Sequence, residues 1–155
     1  ALSTTAETLS AALAIYSPRC HVNRSILYAV NAVMNCNGGH GAMVQRDRAW
    51  SKYLDDGVVR GPKVNPFYHA LMGDENAVVV DTWISKAYGK VFNKLTNRER
   101  VSIQRSIRLH SIKAGETPAS TQAMIWVGYR RLCGHPRPVE DLRVSDYVMT
   151  LPAPA

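Results

Sequence analysis

Between successive strong breakers of this chain, apolar residues recur at helical spacing, and that periodicity restricts the chain to packings of helices. Leu9, Ala12, Leu13 and Tyr16 follow i, i+3, i+4, i+7, with Ser3, Thr4 or Thr5 as a cap ahead of them and Pro18 closing the helix behind them. A second helix over 22–35 carries Val22, Ile26, Val30, Val33 and Met34 on one stripe. Asn37-Gly38-Gly39 stop it, because Gly and Asn tolerate a left-handed backbone. A third helix over about 42–54 has Trp50, Tyr53 and Leu54 on its core side and ends at Asp55-Asp56-Gly57.

The turn Val58-Val59-Arg60-Gly61-Pro62-Lys63 leads into a helix over 64–72, with Pro62 near its start, where a missing N–H costs little. After Gly73-Asp74, the apolar run Ala77-Val78-Val79-Val80 is extended and is the one expected strand. Asp81 then stands as N-cap of a helix over 82–88. Thr96-Asn97-Arg98-Glu99 is a capping box opening a helix to about Lys113, and Thr117-Pro118 starts the last long helix, which ends at Gly134. A short helix over 139–147 and a loose Pro/Ala tail over 151–155 complete the expectation. Six or seven helices on short connections make an all-α orthogonal array, one helical domain over 1–150.

At 155 residues the chain has material for one core rather than two. Its longest apolar runs fall far short of the roughly 20 residues that cross a bilayer, so no membrane span is expected. Segment 9–15 lacks the basic flank of a signal sequence, which makes the cytoplasm the expected location. Cys20, Cys36 and Cys133 are too widely spaced for a disulfide framework or a zinc motif. His69 and His110 stand alone on helices, so no metal site is expected. The net charge of +7 points to a polyanionic partner, since phosphate neutralisation by Lys and Arg dominates nucleic-acid affinity.

Gly61-Pro62-Lys63, an amphipathic helix with Phe67, Ala70 and Leu71, and then Ala77-Val78-Val79-Val80-Asp81-Thr82-Trp83 resemble the core of the helix-hairpin-helix DNA glycosylase superfamily. That family has a Gly-rich hairpin holding a DNA phosphate, a Lys at its second helix and an Asp opening a later helix. In its bifunctional members the Lys and Asp stand about as far apart as Lys63 and Asp81. Ile15-Tyr16-Ser17-Pro18 is similar to the Leu-Ser that ends an early helix there, with Arg19 at the place of a Gln. Gln122-Ala123-Met124-Ile125-Trp126-Val127 is similar to segments of small phage-encoded members. The chain departs from the family in its longer turn before Lys63. Only Cys133 lies where some branches hold an iron–sulfur cluster, and one ligand assembles none.

The resemblance implies a DNA-glycosylase-like fold with a helix-hairpin-helix element, DNA as partner, no cofactor, and a nucleotide extruded into a pocket between two halves of the array. It implies the host cytoplasm if the chain is phage-encoded. Lys63 is then the nucleophile, because an amine freed of its proton attacks a sugar C1′ to form a Schiff base. Asp81 is the carboxylate that takes a proton and stabilises positive charge on the sugar. Arg60 and Gly61 beside the hairpin, with Arg19, Arg105 and Arg108, are the candidate DNA contacts. Tyr16, Tyr68 and Trp83 are candidates to stack on the extruded base. Two other functions fit the same residues: a phage enzyme that hypermodifies thymine or another pyrimidine, and a non-catalytic DNA-binding or phage–host interaction module.

Overall fold

A computed structural model describes residues 6–35 and 43–134. The expected caps at Ser3, Thr4 or Thr5, the stop at Asn37-Gly38-Gly39, Cys36, the helix over 139–147 and the tail over 151–155 lie outside the described residues. Within them the chain is all-helical, with seven α-helices: α1 (Ala6–Tyr16), α2 (Val22–Asn35), α3 (Val44–Asp56), α4 (Val64–Leu71), α5 (Thr82–Ala87), α6 (Asn97–Ala114) and α7 (Pro118–Leu132). A single 3-10 turn, Phe92–Lys94, joins α5 to α6. No helix among the described residues is long and apolar enough to cross a membrane.

The first four helices gather around α1, which packs against α2, α3 and α4. An alanine-rich sequence suits that central place, because interaxial distance is set by the side chains at the contact. Ala11, Ala12 and Ala14 are fully buried, and Ala29 and Ala32 of α2 are buried with them. The seam of α2 is thus Ser25, Ala29 and Ala32, rotated away from the expected stripe, whose Val22 and Met34 are exposed. Leu9 and Leu54, also expected inside, stand partly in solvent, whereas Trp50 and Tyr53 are buried as expected. Trp50 stacks on Tyr53 with ring centroids 5.3 Å apart and meets Tyr16 at 6.4 Å.

A second cluster, distinct from the first, joins Val78, Val80 and Ile84 to Ile103 and Ile107 of α6, with Ile125 and Trp126 of α7 against it. Among the described residues there are therefore two small cores where one was expected. Residues 77–80 are extended, but they pair with no strand, which corrects the expected strand. Side chains satisfy their backbone instead. Gln122 accepts from the Val79 N–H at 3.0 Å, and Gln104 donates to the Val78 carbonyl at 3.1 Å. Arg100 donates to the Val80 carbonyl at 3.4 Å.

A buried backbone donor left without a partner costs about 1–3 kcal/mol. Gln122→Leu removes the acceptor of Val79 and is expected to lower the unfolding free energy by about that amount, measured by urea denaturation, with Gln122→Glu losing less. A Gln122→Leu protein as stable as the parent would refute this account of the extended run.

Candidate functional site

The α1–α2 connection, the start of α4 and the α5–α6 connection meet around an open cleft of about 370 Å³. Pro18, Arg19, Pro62, Lys63 and Val64 form one wall. Thr82, Lys86, Lys90, Phe92 and Asn93 contribute the other. One wall thus belongs to the helices around α1 and the other to the second cluster. Among the described lining residues, Arg19, Lys63, Lys86 and Lys90 are basic and none is acidic.

Each cation is placed by local geometry. Lys63 is the residue before α4, partly buried, with the turn ahead of it closed by the Asn65 side-chain amide donating to the Val59 carbonyl at 2.9 Å. Gly61 turns the chain there with φ of 114°, a region that favours glycine. Arg19 is the non-glycine residue with positive φ among the described residues, at 51°. Such a backbone costs a side-chain-bearing residue roughly 1–2 kcal/mol. The start of α3 holds it there, because the buried Arg46 guanidinium donates to the Pro18 carbonyl and the Tyr16 hydroxyl donates to Asp47 at 2.8 Å. Lys90 is pinned by Glu99 at 2.9 Å, and Glu99 also completes the capping box of α6 with Thr96. The Thr96 backbone N–H, Lys90 and the Thr96 hydroxyl together bring the Glu99 carboxyl down to about 2.

Asp81 is not among the residues that line the cleft; it stands one residue before Thr82, which does, and caps α5. Its Oδ1 accepts from the Ile84 N–H at 2.8 Å and its Oδ2 from the Trp126 indole N–H at 2.9 Å. Both oxygens are thus fixed in direction, and α5 is tied to α7. Burial pushes the Lys63 ammonium below the usual lysine range. The Asp81 charge works against that push, and the Arg46 charge adds to it. The two candidate catalytic residues therefore sit near enough to feel each other without forming an ion pair, since the pairs among the described residues are Arg60–Asp56 and Lys90–Glu99.

The other expected site residues are placed more diversely. Arg19 lines the cleft with Lys63. Arg60 is held by both oxygens of Asp56, at 3.0 and 2.7 Å, so its charge is already met within the turn. Arg105 and Arg108 are exposed on α6, away from the residues that line the cleft, and Arg108 reaches the Asn76 carbonyl at 3.4 Å. Tyr16 is fully buried in the first core and offers no face to a base. Tyr68 packs against that same core and donates to Glu7 at 3.2 Å. Trp83 has Lys86 at 4.9 Å and Arg130 at 5.2 Å over its ring, and Arg130 also covers Trp126 at 4.6 Å. None of these three aromatics lines the cleft. The aromatic that does is Phe92, with Arg100 over its ring at 5.5 Å.

Lys86, Lys90 and Phe92 escaped the sequence reading, although Lys90-Val91-Phe92-Asn93-Lys94 has the basic and aromatic alternation common in nucleic-acid contacts. Arg46 gave no signal, because nothing local marks a helix-start arginine as buried. Among the described residues, no group of three or more His, Cys, Asp or Glu side chains gathers at metal-binding distance.

A family model matches residues 1–132, which is most of the chain. The chain belongs to that family of unknown function, DUF7178. No curated protein and no solved structure matches it. Both walls of the cleft, Asp81 and the α7 residue Trp126 that holds it lie inside the segment that matches the DUF7178 family.

Two titrations check these electrostatics. Lys63 is expected to lose its proton at lower pH than the usual lysine range, and Asp81→Asn is expected to lower it further by removing the charge that opposes burial. Nitrogen-detected NMR of the lysine side chains measures both, and a Lys63 that titrates in the usual lysine range contradicts the burial argument. Glu99 is expected to titrate near 2 rather than 4.5. Its contribution to stability is therefore complete above the ordinary glutamate value and is lost as pH falls toward about 2.

Proposed function

We propose that this DUF7178 chain is a DNA base-processing enzyme of the glycosylase type, acting on a nucleotide extruded into the cleft. The observation that carries the reading is Lys63: an amine whose burial disfavours its charged form, in a basic cleft, within reach of the Asp81 charge. Such an amine is a nucleophile at milder pH than an exposed lysine. The order of α3, a glycine-containing turn and α4 agrees with the helix-hairpin-helix resemblance, while α3 and α4 pack on α1 rather than on each other.

In this mechanism the Lys63 Nζ lone pair attacks C1′ as the N-glycosidic bond breaks. The base leaves with the bonding electrons and takes up a proton from solvent. Asp81 accepts the proton lost by the attacking amine. The sugar ring then opens by cleavage of the C1′–O4′ bond, O4′ takes the proton back from Asp81, and a protonated Schiff base is left between Nζ and C1′. A carboxylate offers about four acceptor positions, so the two N–H groups already on Asp81 leave room for that proton. The basic walls hold the flanking phosphates, and affinity for DNA accordingly falls steeply with salt.

A second reading, a non-catalytic DNA-binding module, is favoured by one observation: both Asp81 oxygens serve the fold, one as N-cap and one toward Trp126. Borohydride separates the two, because it reduces a Schiff base to a permanent amine link. On duplexes carrying abasic sites or modified pyrimidines, the parent is expected to form a covalent adduct that Lys63→Ala abolishes. Asp81→Asn keeps the N-cap acceptor and is expected to slow processing by roughly 10²-fold or more while DNA binding persists. Absence of any adduct from the parent, or equal adducts from parent and Lys63→Ala, rejects the catalytic reading. Retained salt-dependent binding would then support the second one. If an adduct forms, mass analysis of the released and retained nucleosides distinguishes excision from pyrimidine hypermodification.

A further inference from the structure

The charges along the cleft are unevenly compensated. Lys90 has Glu99 and Lys86 has the Trp83 ring at 4.9 Å, whereas Arg19 and Lys63 have no ion-pair partner among the described residues. They come from different parts of the chain: Arg19 from the α1–α2 turn, Lys63 from the start of α4, Lys86 from α5. Cations gathered in a cleft with protein walls focus a positive field, which draws an anion. Arg19 adds an independent sign. It holds a backbone conformation unfavourable to any residue but glycine, at the end of a carbonyl anchored by buried Arg46, and strain of this kind persists where a side chain clamps a ligand. Thr82 and Asn93 line the same space and supply neutral donors beside the cations.

We propose that Arg19 and Lys86 converge from the two walls on a single phosphate group, which thereby bridges the helices around α1 and the second helical cluster. The proposal rests on the DNA reading for one point only, that the phosphate belongs to a nucleic-acid strand. An oxygen on each side of one phosphate accepts a charged N–H from each wall, the strong form of such bonds. Both side chains are exposed, so their replacement leaves the two cores untouched.

The test uses the full chain and the double variant Arg19→Gln/Lys86→Gln in thermal unfolding. The probes are inorganic phosphate, a short single-stranded oligodeoxynucleotide, and sodium chloride at matched ionic strength. With a probe at about 100 times its Kd, the parent Tm is expected to rise on the order of 5–10 °C. The double variant is expected to bind at least tenfold more weakly. A larger response to the strand than to inorganic phosphate assigns the phosphate to nucleic acid. A response to inorganic phosphate alone keeps the site and detaches it from DNA. Equal responses from parent and double variant, or a parent response matched by sodium chloride, overturn the proposal. Absence of borohydride trapping together with an Arg19- and Lys86-dependent shift rejects the Schiff-base chemistry and leaves this site standing. Trapping with unchanged strand affinity in the double variant does the reverse.

Discussion

Residues 77–80 are all buried, Val78 and Val80 within the second core, while their backbone groups run past two helices and no strand. Polar backbone cannot stay dry and unpaired, so the position of this segment is dictated by the side chains that reach it: Gln122 from α7, Gln104 and Arg100 from α6. Once it is fixed, Asp81 has one place to be, and α5 starts there. The second wall of the cleft follows, because Lys86 lies on α5 and Phe92 and Asn93 lie in the short connection after it. Three polar side chains on two helices thus determine where the apolar run ends and where one side of the candidate site begins.

The helices themselves were legible because their signals are local. Gly57 takes the left-handed cap that a glycine after Asp55-Asp56 invites, and Thr96 with Glu99 forms the reciprocal hydrogen bonds that their spacing dictates. The packing was less legible. Large side chains mark a core in a sequence, whereas α2 meets α1 through Ser25, Ala29 and Ala32, so that Val33 packs at the edge of the core and Val22 and Met34 are left outside it. The strand reading of 77–80 failed for a related reason. β-branched residues describe a preference for extended backbone, and only tertiary context says whether the partner is a strand or a glutamine.

At the site, the order Lys63, helix, extended run, Asp81 brought two residues to one neighbourhood, and this much followed from sequence spacing. The surroundings did not. Arg46 influences Lys63 from across the α1–α2 turn, and Trp126 reaches Asp81 over a separation of 45 residues. Neither relation has a local trace. The aromatic candidates fared differently from one another because an exposed-looking ring at helical spacing has the same pattern whether it fills a core, as Tyr16 does, or is covered by cations, as Trp83 is.

The hydrogen bond from Trp126 to Asp81 bears on how small a working fragment can be. The stretch 59–89 holds both candidate catalytic residues and looks self-contained on paper. Transplanted into another scaffold, it would bring the N-cap of α5 with it, but neither the indole that aims the second carboxylate oxygen nor the glutamine that steadies the chain just before it. Both are supplied by α7, the last helix in the described chain. Any graft meant to reproduce this site therefore needs a surrogate for that distant helix, and a designer would have to build its indole and amide before the motif itself.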